Sequence, residues 1–300
     1  MKVKDGICGL TVGDALGVPV EFSRREKLIE NPVTGMRGYE MYYKPPGTWS
    51  DDTGMTLATM DSIIEKRAID YDDMMKKFCQ WKDDDKYWQE ELFDIGITTE
   101  KGINNYKSGM KPLECGCTGE RDNGNGSLMR ILPLAYIPNI DYETVENVSG
   151  LTHGHMRSKI ACVLYVEIAR SMLENDLSID EHVKKACDKI KEYYSDSNEL
   201  KHFKRIFDDD LDEVESSGYV IKTLECVIHC LKTTSSYKDA VLNAVNLGRD
   251  TDTVGCICGG LAGIYYSFDA IPVDWTGEIR KIEYIYKLCE KYEGVINEYF

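Results

Sequence analysis

Apolar residues recur at helical spacing along most of this chain, and convincing period-two alternation is nearly absent. The stretch HMRSKIACVLYVEIARSMLEN (His155 to Asn175) predicts one long, strongly apolar helix. TGMTLATMDSIIEK sets Met55, Ala58 and Ile63 on one face, and YDDMMKKFCQW does the same with Met74, Met75, Phe78 and Trp81. SIDEHVKKACDKIKEYY opens with Ser178 and Glu181 at capping-box spacing. GYVIKTLECVIHCLKTT and SYKDAVLNAVNLG follow, the second closing on Gly248, a C-cap residue. The expected fold is therefore all-α, a many-helix bundle with irregular loops between medium helices. No repeat, low-complexity run or linker divides it, so residues 1–300 read as a single domain.

Composition narrows the classes. A net charge of -16 argues against a basic surface for nucleic acid or anionic membrane. The N-terminal MKVKDGICGLTVGDALG has no apolar core of a signal peptide, and no window is long enough to span a bilayer. Acid runs such as Lys82 to Lys86 read as solvated helix ends or loops. Eleven cysteines cannot all pair within one chain. Several lie in apolar helical patterns, as Cys162, Cys226 and Cys230 do, which points to reduced thiols in a cytoplasmic protein. Two C-x-C pairs, Cys115/Cys117 and Cys256/Cys258, contain four thiols. Their spacing is tighter than structural zinc sites use, and the second pair sits in an apolar segment, so a zinc site is not expected.

Carboxylates carry the chemistry. GTWSDDTGMT places Asp51 and Asp52 at a helix entrance. They could stabilise the helix start, or hold a hard cation through oxygen. Some 200 residues later NLGRDTDTVG repeats the pattern with Asp250, Asp252 and Thr253. An EF-hand reading fails there, because Val254 and Leu261 occupy ligand positions. Neither cluster is flanked by His or Cys, so together they fit one oxygen-only site for two divalent ions, as in two-metal hydrolases. In GLTVGDALGVPVEF, Gly9, Gly13 and Gly17 share a helical face suited to close packing. Asp14 and Glu21 are embedded among small and apolar residues, and Glu21 is a candidate acid, base or metal-side carboxylate. RDNGNGSLMRILPLA offers Gly124-Asn125-Gly126-Ser127, a plain turn or a set of exposed N–H groups for a phosphate. In LTHGHMRSK, His153 and His155 precede a long helix.

In this order the segments resemble one family, the ADP-ribosylglycohydrolases. The matching pieces are G-D-A-L-G-x-x-x-E, S-D-D-T, D-I-G-x-T, G-N-G-S-x-M-R, T-H and D-x-D-T, spread from Gly13 to Thr253. The resemblance implies an all-α fold with two Mg²⁺ or Mn²⁺ ions held by Ser50, Asp51, Asp52, Asp250, Asp252 and Thr253, Ser50 standing where the family often has Thr. It implies Glu21 beside the metals and Asp94, in FDIGITT, near the scissile bond. Without it, Asp94 reads as a solvated loop residue or a helix cap. Gly124, Asn125, Gly126, Ser127 and His153 would line the ADP-ribose cleft, the diphosphate resting on the loop's N–H groups. The implied activity is hydrolysis of an ADP-ribosyl bond on a modified protein, most readily at arginine. Serine-linked or small-molecule substrates, and a non-catalytic binding relative, are the alternatives.

Overall fold

The computed structural model describes residues 3–87 and 92–300. The first half of the chain forms α1 (Val3–Gly17), α2 (Arg25–Glu30), α3 (Asp51–Lys66), α4 (Tyr71–Asp83), α5 (Ile97–Lys107), α6 (Tyr142–Gly150) and the long α7 (Met156–Glu174). The second half forms α8 (Ile179–Tyr193), α9 (Lys204–Phe207), α10 (Val220–Lys232), α11 (Tyr237–Asn246), α12 (Thr251–Tyr266), α13 (Val273–Glu278) and α14 (Ile282–Tyr299). Among the described residues extended pairing is limited to two isolated bridges, Cys117 with His153 and Gly124 with Tyr219. The all-α expectation holds. No described helix is long and apolar enough to cross a membrane.

Local signals place the helix ends where the periodicity puts them. Ser178 and Glu181 form the full reciprocal capping box at the start of α8. The Asp70 side chain caps α4 through the Asp73 N–H. Gly248, just past α11, takes a left-handed φ of +80° that a side chain would disfavour. The acid run Lys82 to Lys86 covers the last turn of α4 and the start of a 3₁₀ turn.

At the centre lie α1 and α12. Every residue of α1 except Lys4 is buried, as is α12 from Thr251 to Gly263. The two helices touch backbone to backbone. A Cβ on Gly9 would fall 2.3 Å from the Gly259 carbonyl oxygen, and one on Gly17 2.3 Å from the Asp252 Cα. The contacts run 9 with 259, 13 with 255 and 17 with 252, so the helices are antiparallel. The glycine face read from the sequence is thus a packing face, and it brings the C-terminal end of α1 beside the N-terminus of α12. A core running from Val3 to Ile296 surrounds this pair, with Trp49, Trp81 and Phe78 among its largest buried side chains. Each fully buried aliphatic or aromatic side chain there contributes about 1.5–3 kcal/mol relative to exposure. All eleven cysteines are free, and nine are buried.

Candidate functional site

Two helix N-termini and the end of a third helix converge on one patch of acid. Ser50 caps α3: its Oγ accepts from the Asp52 N–H at 3.3 Å and donates to Asp52 Oδ2 at 3.0 Å. The cap puts Asp51 and Asp52 in the first turn, where the helix dipole favours negative charge. Asp14, from α1, accepts from the Ser50 and Thr53 N–H groups at 3.0 Å and from the Thr53 hydroxyl at 2.6 Å. It thereby ties α1 to the start of α3. On α12 the Thr253 N–H donates to Asp252 Oδ1 at 2.9 Å, and the Thr253 hydroxyl reaches Asp52 Oδ2 at 3.4 Å. Asn125 Nδ2 donates to Asp250 Oδ2 at 2.8 Å.

A backbone clamp brings Glu21 to the same place. The Phe22 N–H donates to the Arg249 carbonyl, and the Arg249 N–H donates to Ser23, both at 2.6 Å. Phe22 and Arg249 pay for this register with left-handed φ values of 60° and 62°. The Tyr42 hydroxyl donates to Glu21 Oε2.

The result is two overlapping groups of carboxylates. Oxygens of Asp14, Asp52 and Asp252 lie within 4.8 Å of one another, as do oxygens of Glu21, Asp250 and Asp252. Asp252 belongs to both. Neither group contains a cysteine or histidine. Among the described residues no lysine or arginine forms an ion pair with any of these acids or with Asp51 and Asp94. Asp52 Oδ1 is buried with no hydrogen-bond partner. Burial, reinforced by the neighbouring carboxylates, pushes Asp51, Asp52 and Asp252 well above the usual carboxylate range. Glu21 is pushed up to about 9, by burial first and then by the charge of Asp94. Asp94 rises to about 6, again through burial. A buried oxygen without a donor and a knot of like charges are both costly. Hard divalent cations coordinated by oxygen would relieve both, so the donor set fits such ions.

Above the acids opens a cleft of about 700 Å³, a volume suited to a ligand of nucleotide size. Glu21, Asp51, Asp250 and Thr253 line one part of its wall, and Asp94, Gly124, Asn125, Gly126 and His153 line others. Ser50, Asp52 and Asp252 are almost fully buried and do not reach the wall.

Three expectations need correction. Ser127 does not line the cleft. It is fully buried, its hydroxyl accepts from Ser149 at 2.9 Å, and it lies 3.4 Å from Cys162 Sγ. The glycine loop also does not present a full row of free N–H groups, because the Asn125 N–H is committed to the Gly218 carbonyl at 3.0 Å. Asp94 is not a helix cap either, since α5 starts at Ile97 with Gly96 as its N-cap. His155 is one: its Nδ1 accepts from the Arg157 N–H at the start of α7. Two residues escaped the sequence reading. Asp14 was visible as an embedded carboxylate, but nothing in its neighbourhood told that it would meet Asp52 and Asp252. Tyr42 sits in a tyrosine-rich loop with no local signal at all.

Fold and cleft together define an all-helical protein with a buried, oxygen-only acidic centre beneath a ligand-sized opening. The family model for ADP-ribosylglycohydrolases matches residues 1–299, and the chain belongs to that family of hydrolases. It is 29% identical over 299 residues to the ADP-ribosylarginine hydrolase Tri1 of Serratia proteamaculans, covering 97% of this chain and 78% of that one. It is 32% identical over 289 residues to the ADP-ribosyl-dinitrogen reductase glycohydrolase of Rhodospirillum rubrum, covering 92% and 89% respectively. A solved structure titled ADP-ribosylglycohydrolase-related protein complex superposes with a TM-score of 0.83 at 27% identity, over 98% of both chains.

Proposed function

We propose that this enzyme removes ADP-ribose from arginine side chains of modified proteins, as a single domain over residues 1–300, using two Mg²⁺ or Mn²⁺ ions. The observation that carries this reading is the sharing of Asp252 by two carboxylate groups at the base of a nucleotide-sized cleft. Relatives named for ADP-ribosylarginine and for ADP-ribosyl-dinitrogen reductase support the protein substrate. Eleven unpaired thiols support a reducing, cytoplasmic setting.

Asp51, Asp52, Asp250 and Asp252, with the Ser50 and Thr253 hydroxyls, would hold the ions, and Asp14 stands close enough to join them. Such ions, when bound, supply Lewis-acid contacts to sugar hydroxyls and lower the pKa of a water. The remaining work falls to the chain's own groups. In the reaction a water oxygen bonds to the anomeric carbon as the bond from that carbon to the guanidine nitrogen breaks, through an oxocarbenium-like state. Asp94, a carboxylate on the cleft wall, takes the water proton and returns it to the departing nitrogen, and it pairs with the planar guanidinium beforehand. Glu21, steadied by the Tyr42 hydroxyl, is the other carboxylate placed for proton handling. Gly124, Gly126 and His153 form the wall against which the ADP-ribose lies, while the Asn125 side chain braces Asp250.

The test is release of free ADP-ribose with Mg²⁺ or Mn²⁺ from arginine-, serine- and nucleotide-linked substrates. Preference for the arginine-linked protein is expected. Faster turnover of the serine-linked form discards the arginine assignment, and release from none of them leaves a binding relative.

A further inference from the structure

Arg130 is a fully buried cation with no carboxylate partner among the described residues. It stacks over Phe78, 4.8 Å from the ring centroid. Its Nη1 donates to the Gly126 carbonyl, and its Nη2 donates to the Thr152 hydroxyl oxygen at 2.8 Å. Thr152 Oγ1 lies 2.8 Å from His153 Nδ1. These contacts join a buried arginine to two walls of the cleft, Gly126 and His153.

The donor inventory settles where the protons sit. Guanidinium nitrogens only donate. Thr152 is fully buried, and its hydroxyl has two partners, Arg130 Nη2 and His153 Nδ1. Arg130 fills a lone pair of the oxygen and cannot receive the hydroxyl proton. That proton must therefore point at His153 Nδ1, or it would be a buried donor without an acceptor, a costly state. An Nδ1 that accepts leaves the ring proton on Nε2. The backbone is held as well: the His153 N–H donates to the Ser149 carbonyl at 2.9 Å. The Nε2 edge lies against the cleft glycines. A Cβ on Gly124 would stand 3.4 Å from Nε2, and one on Gly126 would stand 3.0 Å from Cε1. Nε2 itself has no hydrogen-bond partner among the described residues.

We propose that Arg130 is a positioning residue which, through Thr152, fixes His153 as the neutral Nε2–H tautomer and so presents a hydrogen-bond donor to an oxygen of the ligand in the cleft. The ligand role rests on the function proposed above; the tautomer does not. Burial and the Arg130 charge depress the His153 pKa to about 3, which keeps the ring neutral at working pH. In this form His153 recognises an acceptor, a phosphate or sugar oxygen, and does not serve as a base toward the cleft.

The tautomer is read directly by two-bond ¹H–¹⁵N correlation spectra of the ligand-free protein, which has five histidines. For His153 a protonated, pyrrole-type Nε2 and a pyridine-type Nδ1 are expected, unchanged between pH 5 and 8. Thr152→Val should lose this pattern and weaken ADP-ribose binding about tenfold, whereas Thr152→Ser should keep both. An Nδ1–H or doubly protonated His153 in the parent overturns the relay, whether or not any variant folds. An unaltered tautomer in a folded Thr152→Val protein overturns it too. The expected tautomer in a parent that binds no ADP-ribose upholds the relay and removes the ligand instead.

Discussion

Gly13 and Gly255 meet backbone against backbone: a Cβ on Gly13 would stand 2.0 Å from the Gly255 carbonyl oxygen, and one on Gly255 would stand 2.5 Å from that of Gly13. Asp14 follows the first glycine, and Asp252 lies three residues before the second. Their carboxylates come together because no side chain separates the two helices. Gly13→Ala should therefore cost about 3 kcal/mol of stability, the upper end for overpacking, because the clash is with backbone and not with a movable side chain. Urea unfolding of the two proteins checks the size. A loss below 0.5 kcal/mol would mean that the helix pair is not held this tightly.

Asp252→Asn keeps the shape of the residue and removes the charge common to both carboxylate groups. The variant should retain the helical circular dichroism spectrum, bind at least one fewer divalent ion and lose most activity. Chelation of the parent should abolish turnover, and Mg²⁺ or Mn²⁺ should restore it. Full activity in chelator would refute the cation requirement, and zinc held by Cys115, Cys117, Cys256 and Cys258 would reinstate the thiol site.

Stability of the cation-free protein should fall as pH rises above 6.5. Folding raises the Glu21 pKa from 4.5 to about 9, so between those values the folded state binds more protons than the unfolded one. That contribution is fully present below 4.5 and is lost as pH rises through about 9. His153 runs the other way. Its pKa is depressed from 6.5 to about 3, so its contribution is present above 6.5 and is lost as pH falls toward 3. Above 6.5 the histidine no longer opposes the carboxylate trend. Tm in chelator should decline over that range, and saturating Mg²⁺ should raise it most at the alkaline end. A Tm in chelator that stays level or climbs above pH 6.5 would contradict a repulsive carboxylate centre.

Asp94→Asn addresses the acceptor. A loss of about 2–4 kcal/mol in transition-state stabilisation is expected on arginine-linked substrate, the scale of one positioned catalytic group. Affinity for free ADP-ribose should hardly change, because in the proposed function the ADP-ribose lies against Gly124, Gly126 and His153. Parent-level kcat/KM in the variant would end the catalytic assignment of Asp94.

Residues close in sequence decided the secondary structure, and the sequence by itself determined it. The period of the apolar residues, the Ser178–Glu181 box and Gly248 act within about one helical turn, so their outcome is readable from a short window. The same holds for Ser50, Asp51 and Asp52, whose capping bonds are local. It also holds for Asp250 and Asp252 at the start of α12. Which acids share one site was a tertiary decision. Asp14 joins Asp52 and Asp252, and Glu21 joins Asp250, only because α1 and α12 touch at glycine and the Phe22–Arg249 clamp closes beside them. Tertiary packing also buried Ser127, occupied the Asn125 N–H and set Tyr42 on Glu21. Each of these depends on a partner far along the chain, supplied by backbone approach, and a hydrogen bond or carboxylate contact of that range leaves no periodic trace in either segment.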